Sequence, residues 1–201
     1  MIEGMKKRNC YLFVFDGYAD WEPALAIASI NKHTDFAIYT FSVDGNVIKS
    51  MGDLSVKPAL SLKDIHVNEI DLLMLPGGDI WETGGNEEVA SLVKEAVTKN
   101  KTVAAICGAT VLLARHGHLD TVDHTSNSLE YLKKFSPSYK GAVHYQNEPC
   151  VTGKNIITAN GAAMIDFAIA IFKKIELADR DTIEKIDDLY KSSGMNNRFS
   201  N

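Results

Sequence analysis

The alternation of short apolar runs with helical segments is the feature that most restricts the fold of this chain. Four runs are rich in aromatic and branched residues: CYLFVFDG from Cys10, DFAIYTFSV from Asp35, IDLLMLPGG from Ile70 and KTVAAI from Lys101. A strand covered on one face alternates apolar and polar residues, whereas a strand covered on both faces is continuously apolar. These runs therefore predict strands inside a sheet that is covered on both faces.

Helical segments separate and follow these predicted strands. In DWEPALAIASINK the apolar residues recur at helical spacing, and Asp20 can cap the helix start. NEEVASLVKEAVTKNK has acids at its start and lysines at its end, as the helix dipole favours. GAAMIDFAIAIFKKI and RDTIEKIDDLYKSS predict two later helices. Strands alternating with helices predict an α/β fold with a doubly wound, mostly parallel sheet and helices on both faces.

The segment between the last of these strands and the later helices contains further predicted elements. TVLLARHG predicts a helix, and SNSLEYLKKF predicts another with Ser126 or Asn127 as its cap. AVHYQNEPCVTGKNIITAN predicts an antiparallel hairpin with its turn at Thr-Gly-Lys-Asn. A chain of 201 residues fits one domain, 1–201, and we expect a C-terminal helix at about 180–193 followed by a flexible tail.

Composition excludes several classes of partner. The formal net charge of −5 offers no attraction for nucleic acid or for anionic lipid, so neither is expected as a partner. No apolar run has the length of a membrane span, and the N-terminal segment lacks a secretory hydrophobic core, so we expect a cytoplasmic protein. The three cysteines are widely spaced and form no CxxC pair, which predicts free thiols rather than disulfides or a zinc site.

One cysteine stands where a predicted strand ends and a helix begins. Cys107, in AAICGAT, has small residues on both sides, as a strained nucleophile turn requires, and ligands of open parallel sheets bind at the carboxyl ends of strands. The helix that follows favours the thiolate, so we expect a lowered Cys107 pKa. The alternative is a buried small residue, which suits Cys10 and Cys150 better.

Several ordered motifs together resemble one superfamily. FVFDGYADWEPA, LLMLPGG, AAICGA, DHT and NIITANGAAMIDFAIAIF occur in the order seen in the PfpI intracellular peptidases and the parkinsonism-associated deglycase. The similarity runs from Asn9 to about Lys174. It implies a single PfpI-type domain with a flavodoxin-like core, the core that this superfamily shares with class I glutamine amidotransferases.

The resemblance also implies site residues. Cys107 matches the reactive cysteine, Glu22 the acid that hydrogen-bonds to it, and His124 a nearby acid or base, with His144 as a reserve base. A carboxyl beside a thiolate should have a raised pKa. The alternative for Glu22 is an ordinary first-turn acid that complements the helix dipole.

Three glycines complete the implied site. The backbone amides of Gly77, Gly78 and Gly108 match an oxyanion hole for a carbonyl that the sulfur attacks. Their alternative is a simple turn that ends a strand. Two departures from related enzymes stand out: the residue after the cysteine is Gly108 rather than the histidine of the PfpI-type peptidases, and no histidine is followed by Glu two positions later. The peptidase triad in its usual form and glutamine hydrolysis are therefore both disfavoured.

These residues favour a cysteine-dependent enzyme with a small carbonyl or amide substrate, such as a methylglyoxal-like dicarbonyl or its adduct on a protein. The alternatives are a non-catalytic redox or stress sensor that uses the same cysteine, and an amidotransferase-like or peptidase-like hydrolase. No cofactor or metal is expected, because His116, His118 and Asp120 suit a helix end better than a metal site. By resemblance we expect a homodimer that uses apolar positions on the first and last helices.

Overall fold

Residues 7–192 are described by the computed structural model. Their nine strands are β1 (Asn9–Phe13), β2 (Ala37–Ser42), β3 (Ile48–Lys49), β4 (Ser55–Val56), β5 (Leu60–Ser61), β6 (Leu72–Leu75), β7 (Thr102–Ile106), β8 (Cys150–Gly153) and β9 (Ile156–Ala159). Seven of them form one sheet in the order β5-β2-β1-β6-β7-β9-β8, and β3 and β4 form a separate antiparallel pair.

The six α-helices of the described residues are α1 (Trp21–His33), α2 (Ala90–Thr98), α3 (Ala109–Arg115), α4 (Leu129–Phe135), α5 (Met164–Ile175) and α6 (Arg180–Ser192). Helix α5 packs against both α1 and α6. The chain moves one way along the sheet from β1 to β2 and the opposite way from β6 to β7. Right-handed crossovers therefore place α1 and α2 on opposite faces.

Strand order reverses at β1, and this reversal creates the crevice in which a ligand is expected. β1 pairs in parallel with β2 on one side and with β6 on the other, while β6 pairs in parallel with β7. Only the β8–β9 pair of the large sheet is antiparallel within residues 7–192. The predicted doubly wound, mostly parallel sheet is confirmed, and the carboxyl ends of β1, β6 and β7 lie side by side at the reversal.

The central strands of the sheet are as buried as their apolar sequences predict, but the strand near its edge is less buried. All four residues of β6 are buried, as are the last four of β7, so these central strands are covered on both faces as predicted. β2 differs, because its first four residues are half-buried. Only Phe41 and Ser42 of β2 pair with the short strand β5, so the rest of β2 lies at the sheet edge.

Several local predictions need correction. Asp20 precedes α1 but its carboxylate accepts from the Ser50 hydroxyl (2.5 Å) instead of capping the helix. The cap of α4 is Ser128, whose Oγ accepts from the Tyr131 amide at 3.0 Å, rather than Ser126 or Asn127. The two-residue strands β3, β4 and β5 lie in a polar stretch for which no strand was predicted.

In the C-terminal part of the chain, the structure agrees with the predictions from the sequence. The predicted hairpin is confirmed as β8 and β9, joined at residues 154–155, and β9 also joins the large sheet by pairing in parallel with β7. Helix α6 ends at Ser192, and the expected tail lies outside the described residues. No helix within residues 7–192 combines the length and the apolar character that a membrane span requires.

Candidate active site

Cys107 occupies a strained turn directly after β7. Its φ is +56°, a left-handed conformation that is uncommon for a residue with a side chain. Its amide donates to the Ala159 carbonyl of β9 at 2.9 Å, so the sheet holds the turn in place. Such strain clusters at functional sites, and a nucleophile on a tight strand-to-helix turn presents its side chain above the sheet.

Glu22 lies on the first turn of α1 with its carboxyl group turned into the protein. The residue is 1% exposed, and its Oε2 accepts from the Gly77 amide at 2.5 Å. A hydrogen bond also links the carboxyl group to the Cys107 thiol. Burial raises the pKa of Glu22 from 4.5 to about 7. An ordinary first-turn acid would be exposed, so this geometry favours the interpretation of Glu22 as a site residue.

The thiol does not have the lowered pKa that its position at a helix start predicted. Burial, followed by the negative charge of Glu22, raises the pKa of Cys107 from 9.0 to about 11. That sequence-based expectation is wrong, because α3 is only seven residues long and its N-terminal end does not outweigh burial. Between these two pKa values the Cys107–Glu22 pair shares one proton and one negative charge.

The glycine after β6 brings its loop unusually close to the cysteine. A methyl group on Gly77 would lie 2.6 Å from Cys107 Cβ and 2.8 Å from Glu22 Oε2, so a side chain is excluded there. Because the Gly77 amide donates to Glu22, it positions the acid rather than standing free for an oxyanion. The predicted oxyanion hole therefore depends on Gly78 and Gly108.

Gly78 and Gly108 lie against each other, and Gly108 directly follows Cys107. A methyl group on Gly108 would lie 2.7 Å from the Gly78 carbonyl oxygen. The Gly108 amide donates towards the Cys107 sulfur, which lowers the pKa of the thiol and partly offsets burial. A donor next to the sulfur is suitably placed for the oxygen of a carbonyl under attack.

His124 is fully buried, and both of its ring nitrogens have partners away from the cysteine. Nδ1 donates to the Val122 carbonyl (2.7 Å), so Nε2 accepts from the Tyr139 hydroxyl (2.6 Å). Burial lowers the pKa of His124, which keeps the ring neutral. His144 lies with its Nδ1 3.7 Å from Asp123 Oδ1. The described contacts bring neither histidine to Cys107.

Asn127 is a site residue that the sequence did not single out. Its Nδ2 donates to the Cys107 sulfur at 3.4 Å, and its Oδ1 accepts from the Gly161 amide at 2.9 Å. The sequence offered Asn127 only as a helix cap, and a single asparagine in a loop gives no signal of a cysteine contact. Its position becomes apparent only when the loop after β9 is placed beside the loop after β7.

His116 and its neighbour Arg115 form ion pairs outside this site. Within residues 7–192, no cluster of three or more His, Cys, Asp or Glu side chains is arranged to hold a metal ion. His116 Nε2 lies 2.8 Å from Glu87 Oε2, and Arg115 pairs with the same carboxylate. The two residues thus join the end of α3 to the turn that precedes α2.

Comparison with known proteins gives consistent matches. Residues 8–174 match the model of the DJ-1/PfpI family. A Bacillus subtilis (strain 168) protein named "Uncharacterized protease YoaZ" is 36% identical over 195 residues, which cover 94% of this chain and 93% of that protein. The crystal structure of the thiJ/pfpI family protein from Bacillus anthracis has a TM-score of 0.87 and 38% identity, and the match covers 94% of this chain and 93% of that one. Deglycase PfpI of Pyrococcus furiosus is 32% identical over 89 residues, which cover 44% of this chain and 54% of that protein.

Proposed function

Because the chain belongs to the DJ-1/PfpI family, we propose that it is a cysteine-dependent enzyme for a small carbonyl or amide substrate, acting as a glyoxalase-like or deglycase-like lyase or as a hydrolase. Cys107 is the nucleophile. The observation that carries the proposal is the buried Glu22 carboxyl group, which is hydrogen-bonded to the Cys107 thiol and has a pKa raised to about 7. Acids tuned towards neutral pH are typical of catalytic proton transfer.

The first step uses the proton that the pair shares. The thiol proton of Cys107 moves to the Glu22 carboxylate, and the sulfur attacks an electrophilic carbonyl carbon, which forms a C–S bond and moves the π electrons to the oxygen. The amides of Gly78 and Gly108 hold that oxygen. The protonated Glu22 then returns its proton to the oxygen, so that charge is balanced without a cationic side chain.

The charges around the sulfur support an aldehyde or dicarbonyl as substrate over a peptide. The strongest electrostatic neighbours of Cys107 are Glu22, Asn127 and the Gly108 amide, and none of them is positively charged. Peptide cleavage requires an acid that protonates a leaving amine, the role that a histidinium has in many cysteine peptidases. Addition to an aldehyde has no leaving group, so the shared proton suffices. The protease name of YoaZ keeps peptide hydrolysis as the second candidate.

Turnover of methylglyoxal and of a chromogenic peptide, measured on the same preparation, tests the proposal. We expect loss of methylglyoxal in the wild-type protein and in Cys150→Ser, and none in Cys107→Ser. Peptide cleavage that depends on Cys107 would favour the hydrolase. No Cys107-dependent turnover of either substrate would contradict the proposed enzyme.

A redox sensor that uses the same cysteine is the non-catalytic alternative. Oxidants attack the thiolate, and the raised pKa of Cys107 leaves little thiolate at neutral pH while Glu22 is ionised. The sensor is supported if dilute hydrogen peroxide adds oxygen atoms to Cys107, seen by mass spectrometry, in a protein that turns over no substrate. Oxidation no faster than that of Cys150 would exclude it.

The proposal includes a cytoplasmic homodimer formed by single PfpI-type domains. Trp21 on α1 and Leu189 on α6 are exposed, as are Met51 and Leu54 in the segment from β3 to β4. Apolar positions on the first and last helices are therefore available for an interface. The β3–β4 segment lies beside the start of α1, because the Ser50 hydroxyl donates to Asp20. A monomer mass in solution at micromolar concentration would contradict the dimer, and Trp21→Glu tests the α1 surface.

A further inference from the structure

We infer that Asn127 is a further catalytic residue, which donates a hydrogen bond to the Cys107 sulfur and stabilises its thiolate. The inference rests on the proposed function in one respect, namely that Cys107 reacts as a thiolate. The Asn127 Nδ2 lies 3.4 Å from the sulfur. A side-chain amide nitrogen only donates, and a hydrogen bond to an ionised partner is stronger than one to a neutral partner.

Gly161 fixes which end of the Asn127 amide faces the sulfur. The Gly161 backbone amide donates to Asn127 Oδ1 at 2.9 Å. Because a backbone N–H cannot accept, the oxygen must face Gly161 and the nitrogen must face Cys107. A methyl group on Gly161 would lie 2.8 Å from the sulfur, so this loop packs directly on the nucleophile.

The two residues before this asparagine anchor it to the sheet and to the nucleophile turn. The Thr125 amide donates to Thr158 Oγ1 of β9 at 2.8 Å. Ser126 Oγ lies 2.7 Å from Thr110 Oγ1, and Thr110 in turn donates to the Cys107 carbonyl at 2.6 Å. A hydrogen-bonded chain thus connects the segment to the backbone of the nucleophile, so the distance to the sulfur is set by the fold.

Asn127 is not the residue that caps helix α4. Ser128 caps α4, so the Asn127 side chain is not needed there. Asn127 is exposed, which places it at the mouth of the site where a substrate would approach the sulfur. An amide does not titrate, so its stabilisation of the thiolate is the same at every pH, in contrast to a histidine in that position.

The rate of alkylation of Cys107 by iodoacetamide, measured against pH and located by mass spectrometry, tests the inference without any substrate. The sulfur forms a bond to carbon as iodide leaves, and the rate follows the thiolate fraction. Asn127→Ala should lower the rate about three- to tenfold below the thiol pKa, because one pKa unit is tenfold in thiolate. Asn127→Asp keeps the side-chain shape and should lower the rate further, since it adds a negative charge.

Two control variants separate a direct role from a structural one. Ser128→Ala loosens the same segment by removing the α4 cap, so it should lower the thermal midpoint while leaving the Cys107 alkylation rate unchanged. Asn31→Asp makes the same chemical change on an exposed residue in the last turn of α1 and should leave the Cys107 alkylation rate unchanged. The alkylation rate of Cys150 in the same samples is an internal reference.

Equal alkylation rates for the wild-type protein and Asn127→Ala at every pH would overturn the inference. So would a rate loss in Ser128→Ala equal to that in Asn127→Ala, because the effect would then come from the loop. If the wild-type protein turns over no substrate, the proposed function fails and alkylation still decides the role of Asn127. If turnover depends on Cys107 but the alkylation rate of Cys107 is the same in Asn127→Ala, the proposed function stands and this inference fails.

Discussion

Cys107 and Cys150 are both half-buried thiols beside a carboxyl group, yet their surroundings differ in what that carboxyl group binds. Burial raises the pKa of Cys107 to about 11 and that of Cys150 to about 12. The acid near Cys150 is Asp166, whose Oδ1 lies 2.6 Å from the Lys191 ammonium. Glu22 has no such cation among residues 7–192 and accepts from a backbone amide. The Asp166 carboxylate is thus held by an ammonium, whereas burial raises the pKa of Glu22 to about 7, so that Glu22 can exchange a proton with its thiol near neutral pH.

The backbone separates the two cysteines as well. Cys150 lies in regular strand β8, while Cys107 has a positive φ and is approached closely by Gly77 and Gly161. Burial of the thiol is common to both residues and so does not predict which one reacts. The partner of the acid and the shape of the turn are therefore the features in which the proposed nucleophile, Cys107, differs from Cys150.

Exchanging each thiol for a hydroxyl should give the largest difference between the two sites. Cys107→Ser should lower methylglyoxal turnover by about 10³-fold or more, because loss of a nucleophile removes the covalent route. Cys150→Ser should leave turnover unchanged and alter the free energy of unfolding by about 1 kcal/mol or less. Steady-state assays and urea unfolding measure the two effects. Equal losses of turnover in the two variants would contradict the assignment of Cys107, rather than Cys150, as the nucleophile.

Removing the charge of each acid should give the next largest difference. Glu22→Gln should lower turnover about 10²- to 10³-fold, because the thiol proton then has no acceptor. The wild-type rate should rise with pH through about 7, as Glu22 ionises, and the variant should lack that rise. Asp166→Asn is the matched change beside Cys150 and should leave the pH–rate profile as it is. A wild-type rate independent of pH between 5 and 9 would contradict the role of Glu22.

The free energy of unfolding should also depend on pH because of Glu22. Its pKa is higher in the folded protein, about 7, than its ordinary value of 4.5, so the folded state keeps a proton that the unfolded chain releases. As pH rises from about 4.5 through 7, the wild-type protein should therefore lose about 3 kcal/mol of unfolding free energy relative to Glu22→Gln. Urea unfolding of both proteins at low and at mildly alkaline pH measures the loss. A constant difference between them would show that folding does not shift the pKa of Glu22.

Added volume beside the sulfur should have the smallest effect. The methyl group of Gly161→Ala would lie 2.8 Å from the Cys107 sulfur and 3.1 Å from its Cβ, so the sulfur or the loop must move. We expect alkylation of Cys107 to slow about tenfold and stability to fall by about 1–3 kcal/mol. Alkylation of Cys150 in the same sample should stay constant. Unchanged alkylation of Cys107 would mean that the loop after β9 does not restrict the nucleophile.

The centre of the fold and the main site loops could be predicted from the sequence. Runs such as LLML and TVAAI are apolar because they are buried on both faces, and such runs can be recognised in the sequence alone. The parallel order then places the loops after β1, β6 and β7 at one edge. Glu22, Gly77 and Cys107 follow those three strands, so the sequence predicts that they converge, and the structure brings the three residues into contact.

The features that sequence reasoning missed depend on distances between segments. Asn127 was assigned as a cap because asparagine favours caps, and only the position of the Gly161 loop gives it a different partner. The direction of the Cys107 pKa depends on how much water the surrounding loops exclude, which no local pattern encodes. The strands β3, β4 and β5 were missed because two-residue strands are too short to show a period.

The order in which the site residues occur along the chain has a consequence for folding. Glu22, Gly77, Cys107, Asn127 and Gly161 come from five segments, and the last of these follows β9, after most of the chain. Contacts between such distant segments form slowly, because the loops between them must close first. During synthesis, therefore, the cysteine emerges with the properties of an ordinary thiol and acquires its proton-sharing partner and its amide donor only when the sheet is complete.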